Sequence, residues 1–160
     1  MIALVVAYSA NRVIGREGGL PWRLPGDMRF FRELTTGGVV VMGRRTYASI
    51  PERFRPLPER RNLVLSTNPA SVPEGAEVFG DLMSALAACG SDCFVIGGGV
   101  TYEEALPLAG RVHATEIEGD VDGDTFFPEL PAAAWRVAER GEPISENGHT
   151  YRFVTYERTR

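Results

Sequence analysis

Asp27 is the residue whose surroundings best suit acid–base chemistry. It begins a predicted helix in the run Leu24-Pro-Gly-Asp-Met-Arg-Phe-Phe31, which places Phe31, one turn later, on the same helix face. The same position has a simpler interpretation, because acids are favoured at helix N-termini by capping and by the helix dipole. Taken alone, Asp27 fits a helix cap better than a catalytic group.

Apolar residues close to Asp27 in the chain predict a flat pocket for an aromatic heterocycle. The predicted walls of this pocket are Leu20, Trp22, Met28, Phe31 and Ile50. A buried carboxylate there offers two oxygens to the two N–H donors of an amidine-like edge, and burial tunes its ionisation. For each aromatic residue, core packing is the alternative interpretation.

Two strand-to-helix junctions have the composition of anion sites. The strand Val39-Val-Val-Met-Gly43 is followed by Arg44, Arg45 and Thr46, where free backbone N–H groups and two guanidinium groups suit a phosphate. The strand Phe94-Val-Ile-Gly-Gly-Gly99 ends in three glycines ahead of Tyr102, which lets the backbone approach a pyrophosphate closely. An exposed arginine pair and tight backbone packing are the respective alternatives.

The composition excludes several other chemistries. All 17 basic residues are arginine, so Schiff-base lysine catalysis and a phosphate-loop lysine are impossible. No G-x-S-x-G run occurs, and His113 and His149 form no evident triad. Cys89 and Cys93 make a poor metal site and fit free thiols better. The two anion sites and the apolar pocket with one carboxylate together predict hydride transfer from a nicotinamide dinucleotide to a flat heterocycle.

The elements that must position these residues alternate between strand and helix. The 160 residues fit one domain. Strands are predicted at 2–7, 39–42, 62–66, 76–79, 93–96, 111–117, 135–140 and 150–157, and helices at 27–34, 44–49, 81–88 and 101–108. This order predicts an α/β fold with a central, mostly parallel sheet of about eight strands, an antiparallel C-terminal strand and helices on both faces.

Three further expectations concern the setting of the domain. Residues 9–25, which we name the lid segment, are predicted to be irregular and functional. The apolar start of the chain lacks the flanks of a leader, and no apolar run reaches a membrane span, so we expect a cytoplasmic protein that does not bind membranes. A net charge of −4 with scattered arginines predicts no nucleic-acid partner.

In chain order, the motifs resemble those of bacterial dihydrofolate reductases. The runs that carry the resemblance are Asn11-Arg-Val-Ile-Gly15, Leu20-Pro-Trp-Arg-Leu-Pro-Gly-Asp27, Val41-Met-Gly-Arg-Arg-Thr-Tyr-Ala-Ser-Ile50, Leu57-Pro-Glu-Arg-Arg-Asn62, Val95-Ile-Gly-Gly-Gly99 and Gly123-Asp-Thr-Phe-Phe-Pro128. The resemblance implies one domain over residues 1–160. It also implies NADPH-dependent reduction of 7,8-dihydrofolate to tetrahydrofolate, with hydride transfer to pterin C6 and protonation at N5.

The resemblance implies roles for residues at the substrate. Asp27 would bind the 2-amino group and N3 of the pterin, Thr115 would bond the acid, and Arg60 would bind the α-carboxylate of the glutamate tail. Trp22, Leu20 and Tyr102 would complete the catalytic group by holding a water, excluding solvent and contacting the nicotinamide. The remaining substrate contacts would come from Val5, Met28, Phe31, Ile50 and Ile96.

The resemblance also implies the cofactor site. Backbone groups of Ala7 and Ile14 would hold the nicotinamide carboxamide. The phosphates and adenosine would be held by Gly43, Arg44, Arg45, Thr46, Ser66 and Thr67, and the pyrophosphate by Gly97, Gly98 and Gly99 beside Tyr102. The Gly97–Gly98 peptide is expected to be cis. Antifolate inhibitors are expected ligands, no metal is expected, and a monomer is favoured.

Two departures and two rival functions stay open at this point. Leu20 stands where methionine is common, and the loop 52–58 is longer than in compact relatives, which leaves lid closure and inhibitor preference open. The related reductase of riboflavin synthesis is the rival enzyme, although it has no reason to combine Asp27, Phe31 and Arg60. A ligand-binding module without turnover is the rival from another class.

Overall fold

The computed structural model describes residues 1–72, 75–90 and 92–159, and within these ranges eleven strands and four α-helices. In chain order they are β1 (Ile2–Ser9), β2 (Val13–Gly15), α1 (Pro25–Thr35), β3 (Val39–Gly43), α2 (Arg44–Ser49), β4 (Arg61–Leu65), β5 (Glu77–Phe79), α3 (Leu82–Ala88), β6 (Cys93–Val95), α4 (Gly99–Ala105), β7 (Arg111–Ile117), β8 (Thr125–Phe126), β9 (Trp135–Arg140), β10 (Ile144–Glu146) and β11 (His149–Arg158). Short 3-10 turns cover Glu52–Phe54, Pro69–Ser71 and Leu106–Leu108.

The main sheet follows the order β10-β11-β7-β1-β6-β3-β4-β5. Strand β10 pairs with the first residues of β11, and β9 pairs with the later residues of β11 along the same edge. The sheet therefore contains nine strands but is eight strands wide. All pairs from β7 to β5 are parallel, and all pairs of β11 are antiparallel. The predicted α/β fold class is therefore confirmed.

Helices cover both faces of this sheet, as the alternation along β3 shows. Val39 and Val41 lie in a core cluster that includes residues of α3 and α4. Val40 and Met42 point to the opposite face, where Tyr47 of α2 joins them. Because both faces are buried, the strand consists of apolar residues without polar alternation.

The predicted boundaries agree with the structure for three elements and shift for others. Strand β7, strand β9 and helix α2 have the predicted ends. Helix α4 begins two residues earlier than predicted, at Gly99, and its last predicted turn is 3-10 because Pro107 has no N–H to donate. Helix α1 begins at Pro25, a residue preferred at the first helical position, so Asp27 is its third residue.

The prediction that residues 9–25 are irregular is wrong in one respect. Val13–Gly15 forms strand β2, which pairs antiparallel with β8 in a separate two-stranded sheet. The pairing partner lies more than one hundred residues away, so no local pattern indicates these short strands. Strand β10 was also missed. Over the described residues, no helix is long and apolar enough to cross a membrane.

Candidate active site

Asp27 is held by a residue from the centre of the sheet. Thr115 on β7 donates a hydrogen bond of 2.6 Å to its Oδ1, and Thr115 pairs with Ala7 in the β1–β7 register. Burial raises the pKa of Asp27, the Thr115 hydroxyl lowers it in part, and the charge of Glu146 raises it. The net shift is upward, so the carboxyl keeps its proton to a higher pH than an exposed aspartate.

The capping role considered for Asp27 belongs to another residue. Leu24 is the N-cap of α1 and has no side-chain acceptor. The free N–H of Gly26 is bonded by Glu146, whose Oε1 lies 2.8 Å away. Asp27 itself is bonded by Thr115. Its carboxylate is therefore turned toward the sheet rather than used to begin its own helix.

Trp22, which belongs to the lid segment, carries a buried polar atom that stands out. Its side chain is buried in a cluster with Leu24, Ile117 and Tyr151. Its indole Nε1 is buried and has no hydrogen-bond partner among the described residues. Because a buried N–H without a partner costs about 1–3 kcal/mol, this atom is suited to donate to a ligand or a water.

The pocket walls predicted around Asp27 come together only in part. Phe31 is partly buried on α1, within 5.9 Å of the Arg60 guanidinium carbon, measured to the ring centroid. Ile50 packs against a different cluster, with Met42 and Tyr47. Met28 is 60% exposed and Leu20 is 65% exposed. The apolar wall in the structure is therefore more open than the sequence predicted.

A cleft of ≈ 750 Å³ opens beside the carboxyl ends of β1, β3 and β6. We name it the main cleft, and its volume falls within the usual range for ligand sites. Ten of the twelve residues predicted for the cofactor line it: Ala7, Ile14, Gly43, Arg44, Arg45, Thr46, Gly97, Gly98, Gly99 and Tyr102. Ser66 and Thr67 follow β4 beyond this lining, next to the end of β3.

Backbone contacts fix the floor of the main cleft. The N–H of Gly43 donates to the carbonyl of Gly97 at 2.8 Å. Gly97 has a φ of 129°, which L side chains rarely adopt, and its peptide to Gly98 is cis, as expected. A Cβ on Gly98 would lie 3.3 Å from Oγ1 of Thr46. The glycines thus bring two chain segments together and leave room for a bulky anion.

Tyr102 connects the main cleft to the first strand. It lines the cleft, is buried, and donates a hydrogen bond of 2.6 Å from its hydroxyl to the carbonyl of Val5. Burial and the nearby Asp27 both raise the pKa of Tyr102. The phenol therefore stays neutral, next to both the acid and the cleft. Ile96, also predicted for the substrate, lines the same cleft.

The lid segment is tied to a second loop that sequence reasoning gave no role. Asp124 accepts a hydrogen bond of 2.9 Å from the N–H of Glu17 through Oδ2, and the N–H of Asp124 donates to the carbonyl of Gly15. Asp124 and Thr125 line the main cleft together with Leu20. The run from Gly123 to Pro128 was the available signal, although nothing in it specified this contact.

Arg60 lies apart from the main cleft. Its Nε donates to the carbonyl of Pro58 at 2.9 Å and its Nη1 to Oγ1 of Thr35 at 3.1 Å. It borders a smaller cavity of ≈ 380 Å³. Nη2 forms no hydrogen bond with the described residues, so the guanidinium is oriented and still has donors for a carboxylate.

Comparison with known proteins extends over the whole chain. The family model described as dihydrofolate reductase matches residues 1–158. The dihydrofolate reductase of Mycobacterium tuberculosis (strain ATCC 25618 / H37Rv) is 45% identical over 163 residues, covering 99% of both chains. That of Bacillus subtilis (strain 168) is 38% identical over 162 residues, covering 99% of this chain and 95% of its own length.

A solved structure gives the same result for the fold. The dihydrofolate reductase from Enterococcus faecalis, complexed with NADP(H) and RAB-propyl, superposes with a TM-score of 0.90 at 33% sequence identity. The match covers 100% of this chain and 97% of that one. The likeness therefore includes every element around the main cleft.

Proposed function

The chain belongs to the dihydrofolate reductase family, and from this premise we propose how its residues divide the work of the reaction. The enzyme reduces dihydrofolate with NADPH. We propose in addition that hydride goes to C6 of the pterin and a proton to N5, giving tetrahydrofolate. When bound, NADPH supplies the hydride from C4 of its nicotinamide. The residues of the protein would bind and orient the substrate and the cofactor and control the transfer of one proton.

The residues of the main cleft suit a phosphorylated dinucleotide. Arg44 and Arg45 bring two guanidinium groups to the start of α2, where Thr46 adds a hydroxyl. Such groups bind phosphate oxygens in pairs. We assign these three, with Ser66 and Thr67, to the phosphates and adenosine, and the 97–99 glycine turn to the pyrophosphate. Gly43 would contribute its backbone, and Ala7 and Ile14 would hold the carboxamide.

Asp27 is the residue on which the proposed mechanism depends. The observation that carries it is the 2.6 Å bond from Thr115, which holds the carboxyl beside the strand whose Ala7 borders the main cleft. In that position the carboxyl offers its oxygens to the 2-amino group and N3 of the pterin. The carbonyls of Val5 and Ile96 would border the same edge.

The raised pKa of Asp27 suits its use in protonation. A carboxyl that holds its proton to a higher pH favours a protonated complex near neutrality, which is the requirement for acid catalysis there. We propose that the proton reaches N5 through a water held by the indole N–H of Trp22, which has no described partner. Tyr102 would face the nicotinamide, and Leu20 would exclude solvent once the lid segment closes.

The remaining substrate contacts follow from shape and charge. Phe31 and Ile50 would lie on opposite sides of the substrate, with Met28 at the rim. Arg60 would bind the α-carboxylate of the glutamate tail as a two-donor contact. Its attachment to Pro58 and Thr35 supports this, because a guanidinium that is already oriented loses less entropy on binding.

The deciding experiment uses deuterated cofactor. Purified protein is mixed with dihydrofolate and NADPH that carries deuterium at both C4 positions. We expect near-UV absorbance to fall only when dihydrofolate is present, and the product to be tetrahydrofolate with deuterium at C6. Deuterium elsewhere would overturn the proposed hydride path. A parallel reaction replaces dihydrofolate by a ribosylated pyrimidine. Turnover of that compound alone, or cofactor binding without turnover of either, would favour the rival functions.

Several expectations from the sequence stay predictions. They are a single domain over residues 1–160, binding of antifolate inhibitors, a monomeric state, a cytoplasmic location, and the absence of nucleic-acid and membrane partners.

A further inference from the structure

Helix α1, which carries Asp27, begins without a cap of its own. The N-cap position is Leu24, which has no side-chain acceptor, and Pro25 has no N–H. The first free donor is therefore the N–H of Gly26.

Oε1 of Glu146, the last residue of β10, accepts this hydrogen bond at 2.8 Å from a position 120 residues later in the chain. The turn after β10 adds a second contact, because the amide of Asn147 donates to the carbonyl of Arg23 at 2.8 Å.

The same carboxylate oxygen holds a buried tyrosine. The hydroxyl of Tyr151 donates to Oε1 of Glu146 at 2.9 Å, and Tyr151 is 1% exposed. Gly26 makes the arrangement possible, because a Cβ there would lie 2.5 Å from the Tyr151 oxygen and 3.2 Å from Oε1 of Glu146. Two donors thus converge on one partly buried oxygen next to the first turn of α1.

The charge of Glu146 acts directly on Asp27. Like charges oppose each other, so the Glu146 carboxylate raises the pKa of Asp27 in addition to the effect of burial. From β7, Thr115 bonds the acid without carrying charge. Tyr102 from α4 and Tyr151 from β11 both interact with Asp27, but burial raises the pKa of each phenol, that of Tyr151 to about 12.

Both phenols are therefore neutral at the pH of the reaction. The charge of Arg29 on α1 lowers the pKa of Tyr151 but does not contribute to the pKa shift of Asp27. Among the described residues, Glu146 is accordingly the charged side chain that acts on the acid.

We propose that Glu146 is a positioning residue for Asp27, which fixes the first turn of α1 and places a negative charge beside the acid. This inference rests on the role proposed for Asp27 in protonation. The hydrogen bonds hold the first turn of the helix that carries the carboxyl, and the charge adds to the effect of burial on how readily the carboxyl holds its proton. Residue 146 would therefore help to set the pH at which the reductase begins to lose activity.

The test compares Glu146→Gln with a matched control just before the same hairpin. Glutamine keeps an oxygen for Gly26 and Tyr151 but removes the charge, so the fold is preserved. Glu142→Gln makes the same change of charge at an exposed residue before β10. We expect Glu146→Gln to lower kcat/KM roughly two- to fivefold on the alkaline side of the pH profile and to leave the acid side unchanged, on the scale of one charge in a partly solvated site. Glu142→Gln should follow the wild-type profile throughout.

A second readout does not depend on turnover. In protein labelled with 13C at aspartate carboxyls, the Asp27 signal is assigned by its loss in Asp27→Asn, and its titration midpoint is then followed. We expect a lower midpoint in Glu146→Gln than in the wild type. In Glu146→Ala, hydrogen exchange at the Gly26 amide should also become faster, because its acceptor is gone.

An unchanged midpoint in Glu146→Gln would overturn the proposal and leave Glu146 as a structural acceptor only. Wild-type turnover in Asp27→Asn would instead overturn the proposed mechanism, while the carboxyl titration would still decide the effect of Glu146.

Discussion

The hydroxyl of Thr115 lies 2.6 Å from Oδ1 of Asp27, although 88 positions separate the two residues in the chain. This bond favours the ionised carboxyl, whereas burial favours the neutral one. The pKa of Asp27 therefore reflects a balance in which burial and the charge of Glu146 oppose the Thr115 hydroxyl. Because Thr115 is 3% exposed, water does not easily replace its hydroxyl.

Replacing Thr115 by valine should change the pH profile and the rate together. Valine has nearly the same shape but no hydroxyl, so the pKa of Asp27 should rise and the alkaline limb of kcat/KM should move to higher pH. The plateau should fall roughly tenfold, since a hydrogen bond to a charged group contributes about 1.5–3 kcal/mol. Steady-state kinetics across pH measure both effects. Thr115→Ser, which restores the hydroxyl, should recover most of the wild-type profile.

Asp27→Asn should lower activity and raise stability. Turnover near neutral pH should fall roughly 10²- to 10⁴-fold if the acid acts in protonation. A carboxyl whose pKa is raised by folding contributes stability below its unfolded pKa of about 3.9, and this stability is lost as pH rises through the folded pKa. The Tm of the variant minus that of the wild type should therefore increase with pH.

Thermal unfolding from about pH 4 to pH 8 measures this difference across the window that begins at the unfolded pKa. The control is Asp120→Asn, which makes the same change at an exposed residue and should give a Tm difference that does not vary in the same way. A constant difference for Asp27→Asn would contradict the raised pKa.

Arg60→Lys should weaken the binding of folates by about 1–3 kcal/mol, because lysine cannot present two donors in a plane. A pterin without the glutamate tail should bind equally well to both proteins. The control is Arg61→Lys, because Arg61 is already bonded to both carboxylate oxygens of Glu77, at 2.9 and 2.8 Å. Fluorescence titration measures the affinity of each of the three proteins for both ligands. Equal losses for both ligands in Arg60→Lys would indicate a structural arginine.

Asp124→Ala should loosen the lid segment. The variant removes the acceptor for the N–H of Glu17, so hydrogen exchange at that amide should become faster. NADPH should bind roughly fivefold more weakly, in keeping with about 1 kcal/mol for one exposed hydrogen bond. Asp122→Ala is the matched control, because Asp122 is exposed in the same loop and forms no hydrogen bond among the described residues. Equal effects of the two variants would show that Asp124 has no specific role in lid closure.

Sequence patterns predicted the parts of this fold that are determined locally. The apolar run from Val39 to Met42 and the junction with Arg44 and Arg45 carry their own periodicity and chemistry, and both lie where expected. The short strand β2 has no such pattern, because Val13 is held by Phe126 from a distant part of the chain. Pairings of two or three residues depend on tertiary contacts rather than on local propensity.

The candidate site was also predicted only where local sequence determines it. Asp27 and its helix were predicted from local sequence, whereas its bond to Thr115 followed only from the family resemblance. The contact of Glu146 with Gly26 was missed, because a cap supplied from 120 residues away leaves no mark near the helix start. A leucine at the N-cap position was the available signal, since it implies that the acceptor comes from elsewhere.

Gly26→Ala tests whether the first turn of α1 is as closely packed as its distances indicate. Alanine is normally the better helix former by about 0.5–1 kcal/mol, but its Cβ would lie 2.5 Å from the buried Tyr151 oxygen. The variant should therefore lose about 1–3 kcal/mol of unfolding free energy, as overpacked sites do. Urea denaturation measures this loss. Gly80→Ala should be tolerated, because its Cβ would have no heavy atom within 4 Å.

The cause of that loss can be isolated with Tyr151→Phe. This change removes the oxygen that the new Cβ would meet, so adding Gly26→Ala to it should cost much less than adding Gly26→Ala to the wild type. Tyr151→Phe also removes one donor from Glu146, and the double-mutant cycle subtracts that effect. If the two changes are simply additive, the close approach of Gly26 to Tyr151 does not limit the site. If they are coupled, Gly26 is required because Tyr151 and Glu146 must reach the start of the helix that carries Asp27.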